Sequence, residues 1–450
     1  MQPIPLDDLV ARCAVRRELL FDALGDGFLI LPTAPERIRN GDVHHSFRPG
    51  SDFHYLTGFA EPSAILCAWS TGERGRRRIR TALFVLPKDK EREIWDGKRH
   101  GVAGAKRRFG VDETHPIDTF WERLPELVGG QATVFHRLGR DEAFDRRLLA
   151  TFAAAAFKKR KANVPAHPAI VDPLPALGEL RVIKDDLEIH AMEQAATVSS
   201  AAHVAAMAAT RPGLVEYQVQ QVLEGVFRQA GSRRNGYDSI VASGPNACIL
   251  HYHENDRTMR RGDLLLIDAG AEIGMYTADI TRTWPVDGAF TDAQAAVYDA
   301  VLKAQGAAIR QIRPGRPYDA VHKAAVRSLT ASLIDLGVIR GPLTTAIEKE
   351  RYKPFYMHGT GHYLGLDVHD AGAYQDASGK PRPFEAGMVV TVEPGLYFDP
   401  KDRKIPSGLR GIGVRIEDDL LVTEDGSRNL TAACPKARRS VEAACRAQAR

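Results

Sequence analysis

The sequence predicts a mixed α/β (α+β) protein of two domains, and three observations support this. The chain has 450 residues, which is more than one ordinary hydrophobic core accommodates. Short apolar runs with the length of buried strands alternate with longer segments that have helical spacing of apolar residues. A proline-rich stretch, residues 158–177, separates a first part with little sign of chemistry from a second part rich in acids and histidines. We therefore expect one domain over residues 1–172 and another over residues 173–450.

Composition and charge exclude several classes of protein. Hydrophobic residues make up 44% of the chain and charged residues 26%, and the net charge is +4, so nothing favours nucleic-acid binding. No apolar stretch approaches the ~20 residues that a membrane span needs. The polar, acidic beginning of the chain does not resemble a signal peptide. The five cysteines are scattered without CxxC spacing, which favours a reducing, cytoplasmic location.

The first domain has the pattern of a supporting α/β domain. Residues 7–24 have helical spacing of apolar residues, and residues 28–31 and 82–86 are predicted to be buried strands. The aromatic-rich segment of residues 51–59 ends in a turn, and its aromatic side chains are expected in the core. Trp95 is the exception, because charged residues surround it on both sides.

The predicted domain boundary carries four prolines within a short stretch, at positions 165, 168, 173 and 175. This density of proline argues against a regular helix there. Asp185 and Asp186 follow, where the start of a helix favours acidic residues. The predicted helix runs to Ala209 and ends at Arg211-Pro212-Gly213.

The triplet Arg-Pro-Gly occurs twice, beginning at Arg211 and at Arg313. Each copy is followed by a predicted helix, and later by an apolar strand that ends on an acid, Asp268 in the first half and Glu393 in the second. The helices span residues 216–229 and 318–336. This repetition predicts an internal duplication, in which a cleft between two similar halves collects acids from both.

Residues 262–285 are predicted to form a β-hairpin that holds two acids. The apolar run Leu264–Ile267 ends on Asp268, a glycine between apolar residues supplies the turn, and the second strand contains Asp279. Two carboxylates on paired strands repel each other strongly in a low-dielectric site, and a hard cation would relieve that repulsion. The alternative is that both acids are salt-bridged, Asp279 with Arg282.

The second half of the chain adds further metal-ligand types. His358 and His362 lie in a glycine-rich segment and His369 follows, while Arg415 and Glu417 are predicted to share one face of a strand. Four carboxylates with one histidine suit Mn, Co, Zn or Fe better than Cu. They are too many for one open catalytic ion and fit a two-metal site with bridging carboxylates. The carboxylates are those of Asp268, Asp279, Glu393 and Glu417.

The order of five short motifs resembles that of the pita-bread metallopeptidases and, within them, of bacterial aminopeptidase P, the Xaa-Pro aminopeptidase group. The motifs are IDAG, DITRT, GTGH, VEPG and RIED. The N-terminal sequences SDFHYLTGF and EIWDGKRHG are similar to the creatinase-type N-terminal domain of that group. The resemblance covers nearly the whole chain. It implies a creatinase/RNase H-like N-terminal domain followed by a pseudo-twofold pita-bread catalytic domain.

The resemblance also implies a ligand set for two divalent ions per chain, with manganese as the implied metal and cobalt or zinc as alternatives. One ion would be held by Asp268, Asp279 and Glu417. The other would be held by Asp279, His362, Glu393 and Glu417.

The same resemblance implies roles in catalysis for residues of the second domain. Glu393 would also take the proton from the attacking water. His251 and His369 would bind the substrate carbonyl or the tetrahedral intermediate, and His358 would line the same site. Arg415 would orient Glu417 or bind the peptide.

Peptides with proline in the second position are the implied substrates, and a homo-oligomer, tetramer or dimer, is the implied assembly. Trp95 and Asp42 match positions that reach toward a neighbouring active site. Prolidase is the nearest alternative, but residues 410–415 lack the additional glycine associated with many prolidases. A non-catalytic pita-bread protein or creatinase-like chemistry without metal is disfavoured, because none of the five ligands is lost.

Overall fold

The structure, a computed structural model, describes residues 4–71, 78–159 and 168–447. The chain divides into two compact units, the first covering Ile4–Leu180 and the second beginning at Arg181. Residues 160–167 of the predicted proline-rich boundary lie outside the described residues. In the described ranges, no helix has both the length and the apolar character that crossing a bilayer requires.

The first unit is built on a six-stranded mixed sheet with strand order β6-β5-β4-β1-β7-β8. A short separate hairpin, β2–β3, lies outside this sheet. The strands are β1 (Phe28–Pro32), β2 (Ile38–Asn40), β3 (Val43–His44), β4 (Ile65–Thr71), β5 (Arg78–Val85), β6 (Glu113–Pro116), β7 (Thr133–Phe135) and β8 (Ala169–Val171). The helices are α1 (Leu6–Leu24), α2 (Ser51–Thr57), α3 (Lys90–Asp96), α4 (Gly101–Arg108), α5 (Phe120–Val128) and α6 (Glu142–Lys159), and α7 (Leu174–Val182) lies at the boundary.

The predicted elements of this unit are confirmed. Helix α1 and strands β1 and β5 occupy the predicted positions. The aromatic-rich segment forms α2, whose Phe53, Tyr55 and Leu56 side chains are buried. Trp95, on α3, is 84% exposed, which agrees with its charged sequence neighbours.

The expectation that the prolines exclude a regular helix is wrong for residues 174–182. Helix α7 contains Pro175 as its second residue. The N–H groups of the first helical turn have no acceptor within the helix, so a proline there loses no hydrogen bond and its fixed φ suits the helix.

In its described residues the second unit contains two three-stranded antiparallel sheets, β13-β10-β9 and β14-β17-β18, and two two-stranded sheets, the short hairpin β11–β12 and the pair β15–β16. The strands are β9 (Ile240–Ser243), β10 (Leu264–Asp268), β11 (Glu272–Ile273), β12 (Tyr276–Thr277), β13 (Thr281–Pro285), β14 (Val389–Val392), β15 (Gly395–Tyr397), β16 (Gly413–Arg415), β17 (Asp418–Val422) and β18 (Ser427–Asn429). The helices are α8 (Asp186–Ala209), α9 (Glu216–Gln229), α10 (Asp292–Ile309), α11 (Asp319–Asp335), α12 (Leu343–Glu348) and α13 (Arg438–Arg446).

Each half of the second unit has a helix pair followed in the chain by a three-stranded sheet, as the repeated triplet predicted. Helices α8 and α9 precede the sheet of β10, and helices α10 and α11 precede the sheet of β14. Helix α8 begins where the sequence placed it: the Asp185 side chain accepts from the N–H groups of Leu187 and Glu188, and the Glu188 side chain completes a capping box.

The predicted hairpin is present, but its pairing is interrupted at the second acid. Strands β10 and β13 pair antiparallel with Asp268 opposite Thr281, and β11 and β12 continue to the turn. Asp279 lies between β12 and β13, and its N–H donates to Asp419 Oδ2 at 3.0 Å. Glu417 likewise lies between β16 and β17. The strand positions expected for these two acids are therefore wrong, because contacts with distant residues replace the strand pairing.

Gly270 allows the two arms of the hairpin to approach each other. A Cβ added at this residue would lie 1.7 Å from the carbonyl oxygen of Ala278, and backbone cannot yield as a flexible side chain does. We expect Gly270→Ala to lower the free energy of unfolding by about 1–3 kcal/mol in urea denaturation. The control is Gly225→Ala in α9, where the added Cβ meets no atom within 4 Å, and which should stabilise by about 0.5–1 kcal/mol. Equal stability of the two variants would contradict this interpretation of Gly270.

Candidate metal centre

The second unit contains a cleft of about 410 Å³, and all the site residues that the sequence predicted line it. The five expected ligands share this cleft with the three expected substrate-binding histidines and one arginine. They are Asp268, Asp279, His362, Glu393, Glu417, His251, His358, His369 and Arg415. Residues more than 160 positions apart in the chain are thus brought to one place, the cleft between the two halves that the internal repeat predicted.

Strand ends and one close backbone contact position the ligands. Asp268 ends β10 after four buried aliphatic residues, and Glu393 directly follows β14. His362 is held against β14, since its carbonyl accepts from the N–H of Thr391 at 2.9 Å. The contact requires glycine at 361, where an added Cβ would lie 2.0 Å from the Thr391 carbonyl oxygen.

A tyrosine that the sequence analysis did not identify joins two of the acids. The Tyr237 hydroxyl lies 2.6 Å from Asp268 Oδ1 and 2.5 Å from Asp279 Oδ1. A phenol has one proton, so it can donate to only one of these carboxylates at a time. Tyr237 belongs to none of the motifs, so no sequence pattern was a reason to select it. The residue before it must be glycine, because a Cβ on Gly236 would lie 1.8 Å from Thr277 Oγ1.

The salt-bridge alternative holds for Asp268, and for Asp279 the expected partner, Arg282, is wrong. Asp268 Oδ2 accepts from Arg415 Nη2 at 2.7 Å. Arg282 instead donates to Asp418 at 2.7 Å, and both of those side chains are fully buried. The basic group beside Asp279 is His362, whose Nε2 lies 3.3 Å from Asp279 Oδ2.

Glu417 supplies the observation that favours a metal ion. Its Oε2 accepts from the Thr281 hydroxyl at 2.6 Å, whereas its buried Oε1 has no hydrogen-bond partner among the described residues. Asp279, His362 and Glu417 each offer one ligand atom, and these three atoms lie within 4.8 Å of one another. A buried carboxylate oxygen without a partner is costly. The donor set, oxygen-rich with one imidazole, fits a divalent cation of the Mn, Co, Zn or Fe type.

Burial and mutual repulsion make Asp279, Glu393 and Glu417 hard to ionise without such a cation, whereas Arg415 outweighs burial and lowers the pKa of Asp268. Burial and the nearby carboxylates raise the pKa of Glu417 well above its ordinary value. Burial, only partly offset by His362 and Arg415, raises the pKa of Glu393 to about 7. Burial opposes the charge on His362, but the hydrogen bond and the charge of Asp279 outweigh it and raise the pKa of His362 to about 9.

A hydrogen-bonded chain orients His358 in its neutral form. Burial, and then the charge of Arg415, lower the pKa of His358 to about 3. Arg415 Nη1 lies 3.1 Å from the Tyr397 hydroxyl, which lies 2.9 Å from His358 Nε2, and His358 Nδ1 lies 2.7 Å from the Gly359 carbonyl oxygen. Because arginine only donates, the Tyr397 hydroxyl donates to Nε2 and Nδ1–H donates to Gly359.

The other two predicted histidines lie at the exposed side of the cleft. The His369 ring centroid is 4.3 Å from that of His362 in an edge-on arrangement. Burial and the neighbouring His362 lower the pKa of His369. His251 stacks with His253, with ring centroids 6.5 Å apart. His253 and Asp238 also line the cleft, and neither had been identified from the sequence.

Comparison with known proteins assigns each of the two parts of the chain to a known family of domains. Residues 190–424 match the model of metallopeptidase family M24, and residues 13–135 match that of the aminopeptidase P N-terminal domain. The chain is similar to a Xaa-Pro aminopeptidase of Haemophilus influenzae, with 43% identity over 91% of this chain and 90% of that protein.

Solved structures agree with this similarity. The structure of the Pseudomonas aeruginosa aminopeptidase PepP superposes with a TM-score of 0.93 and 43% identity, over 99% of each chain. The zinc-substituted Escherichia coli aminopeptidase P in complex with product gives a TM-score of 0.92 and 37% identity, again over 99% of each chain. The expected fold, including the N-terminal domain and the pita-bread domain, is confirmed.

The raised pKa values predict that metal binding displaces protons. Without metal, His362 and part of the Glu393 population hold protons at pH 7, and the raised pKa of Glu417 favours its protonated form. Ligands must lose such protons to bind a cation. The affinity for Mn²⁺ should therefore rise from pH 6 to pH 8, with net proton release. Calorimetric titration of metal-free protein in buffers of different ionisation enthalpy measures this release, and a heat independent of the buffer would contradict the prediction.

Proposed function

The chain belongs to metallopeptidase family M24, and on that basis we infer that it is a metal-dependent aminopeptidase that releases the N-terminal residue from peptides with proline in the second position. The observation that carries this conclusion is that five proposed ligand side chains line one cleft, in which a buried oxygen of Glu417 has no hydrogen-bond partner among the described residues. They lie in a chain that is 43% identical to a Xaa-Pro aminopeptidase over nearly its whole length.

We propose that the site holds two divalent ions, manganese being the favoured metal. One ion would be bound by Asp268, Asp279 and Glu417, and the other by Asp279, His362, Glu393 and Glu417. The zinc in the E. coli relative supports dependence on a divalent metal. When bound, such ions supply a water of lowered pKa and Lewis acidity for the scissile carbonyl. The calorimetric titration described above also counts the ions, and a stoichiometry of one would contradict the proposal.

Glu393 is proposed as the group that takes the proton from the attacking water. Glu393 lines the cleft together with the other expected ligands, and a carboxylate next to a bound water can accept its proton and return it. Its backbone is fixed, because its N–H donates to the Thr360 carbonyl at 2.8 Å. The Thr360 hydroxyl is in turn held by Tyr356 at 2.5 Å and by His322 at 2.8 Å.

The remaining cleft histidines would bind and polarise the substrate. Burial and the charge of His362 lower the pKa of His369, which favours the uncharged ring, and this ring can donate one N–H to a developing oxyanion. His251 would contact the same carbonyl or tetrahedral centre. His358 is held by Tyr397, and this places it to contact substrate without competing for the metal.

Arg415 distinguishes the proposed activity from that of a prolidase. A dipeptidase must recognise the free carboxylate of its substrate, which calls for an available cation. Arg415 is the only arginine among the described residues that line the cleft. Each of its three nitrogens already donates a hydrogen bond, Nε to Thr281 at 3.1 Å, Nη1 to Tyr397 and Nη2 to Asp268, and its charge is paired with Asp268. The cleft should therefore accept peptides that continue beyond the proline more readily than dipeptides whose proline carries the free carboxylate.

This reasoning gives the experiment that tests the function. Manganese-loaded protein should release the first residue from Xaa-Pro-Yaa and longer peptides, and should cleave the matched Xaa-Pro dipeptide more slowly. The proline imide lacks an N–H, so a matched Xaa-Ala-Yaa peptide serves as the specificity control. Steady-state kcat/KM values decide the outcome: a dipeptide preference of about tenfold or more, which is about 1.4 kcal/mol in transition-state binding, would make the protein a prolidase.

We also propose that the protein is a cytoplasmic homo-oligomer, a tetramer or a dimer. All five cysteines are free, as a reducing compartment favours. Ile94 and Trp95 on α3 are 80% and 84% exposed, and adjacent exposed apolar side chains of this size favour an interface. With Asp42, Trp95 would reach a neighbouring active site. Light scattering measures the state, and a monomer at micromolar concentration would contradict the assembly.

A further inference from the structure

A buried ion cluster lies directly beside His369 and has none of the roles described above. Asp370 follows His369, and its side chain is 1% exposed. Lys184 Nζ lies 3.0 Å from Asp370 Oδ2. The Arg181 guanidinium donates to Asp370 Oδ1 and, at 2.7 Å, to Asp367 Oδ2. The side chains of Lys184 and Arg181 are 0% and 3% exposed.

The positive and negative charges of this cluster are equal in number, but burying them costs desolvation free energy. Two cations face two carboxylates, and the cations outweigh the burial of Asp370, so its pKa lies below its ordinary value. Desolvation of buried ions usually cancels much of their attraction, so an apolar replacement would often serve stability equally well. A buried cluster of this kind therefore calls for a reason other than stability, such as fixing one conformation.

The conformation that it fixes is that of residues 365–370, which carry His369. The Asp370 N–H donates to the Tyr363 carbonyl at 2.9 Å, and the Gly365 N–H donates to the Asp367 carbonyl at 3.1 Å. The carboxylate is packed against this loop so closely that a Cβ on Gly365 would lie 2.2 Å from Asp370 Oδ2.

The cationic side of the cluster is anchored independently of the loop. The Lys184 N–H donates to the Gly387 carbonyl at 2.9 Å, which ties its backbone to the segment leading into β14. The Lys184 ammonium donates to one oxygen of the Asp370 carboxylate, and the Arg181 guanidinium donates to the other. Rotation of the Asp370 side chain would break at least one of these contacts.

We propose that Lys184, Arg181 and Asp370 are positioning residues for His369. By holding the carboxylate next to it in the sequence, the two cations hold the His369 ring against His362 at the cleft. This inference rests on the proposed function of His369 in substrate binding, and it assigns no direct contact with substrate to the cluster.

The test uses variants of Lys184 in the full, manganese-loaded protein. Lys184→Met removes the charge but keeps the chain length, and Lys184→Arg keeps the charge. Lys323→Met is the matched control, because Lys323 pairs with Asp319 at the surface, where it is 73% exposed. On an Xaa-Pro-Yaa peptide, kcat of Lys184→Met should fall by about 10- to 100-fold, since a misplacement of about 1 Å can cost that much.

Further measurements on the same variants distinguish a role in positioning His369 from a role in the stability of the fold. KM should change by less than about twofold, metal content should stay at the wild-type value, and Lys184→Arg and Lys323→Met should retain wild-type kcat. All rates are measured at a temperature where circular dichroism shows each variant folded. A Lys184→Met variant with lowered thermal stability but wild-type kcat would overturn the proposal, and so would one that loses its metal.

A double-mutant cycle asks whether Lys184 acts through His369. In the His369→Ala background, Lys184→Met should cause little further loss of kcat, because the ring that it positions is gone. Fully additive losses would overturn the proposal. If Lys184→Met does not fold, Asp370→Asn, which keeps the side-chain shape, takes its place with the same expectations. Wild-type protein that binds metal but cleaves no Xaa-Pro-Yaa peptide would overturn the proposed function, whereas active wild type with unaffected variants overturns only the positioning role.

Discussion

The second unit depends on the repulsion among four carboxylates that its fold gathers in one buried cleft. Among the described residues of the cleft, the basic groups that meet Asp268, Asp279, Glu393 and Glu417 are Arg415 and His362, while His358 lies near Glu393 in its neutral form. The side chains of the protein neutralise this negative charge only in part. They also leave one buried oxygen of Glu417 without a hydrogen-bond partner in the described structure. The site is therefore built for a cation that the polypeptide does not itself provide. The raised pKa values of Glu393 and Glu417 express the same deficit.

Holding such a site in place requires rigid contacts behind it. Arg282, fully buried, donates to the carbonyl of Glu417 and to the carboxylate of Asp418, and so fixes the backbone that carries one ligand. Asp419 accepts from the N–H of Asp279, which joins a ligand of the first half to the sheet of the second. These hydrogen bonds fix the backbone at the carboxylates, as strand pairing does elsewhere, while the side chains of Asp279 and Glu417 line the cleft.

In the proposed site, the surrounding groups divide between those that would position the metal ligands and those that would bind the peptide. Arg415 and Tyr397 hold His358 neutral, and Thr360 fixes the backbone of Glu393. The cluster around Asp370 would do the same for His369 from the other side of the cleft. An aminopeptidase for an imide bond needs this rigidity, because proline removes the N–H that most peptidase clefts use to orient their substrate. Orientation must then come from fixed groups around the carbonyl.

The sequence by itself determined the features whose causes are local. Strands that end on acids, the capped start of α8 and the alternation of helices with short strands follow from periodicity and from the residues at the ends of elements. The ordered motifs then identified the family and, through it, nine residues that all line one cleft. Only the tertiary structure decided which partner each charge has. Arg282 pairs with Asp418, 136 positions away, rather than with the nearby Asp279.

Tyr237 bridges two acids 31 and 42 positions away without any motif to mark it. The backbone N–H groups of Asp279 and Glu417 likewise bond to distant residues, to the Asp419 carboxylate and to the Thr281 carbonyl. Pairing among buried charges depends on distance in space and on solvent exclusion. A linear pattern records neither quantity, so these partners became known only when the chain was folded.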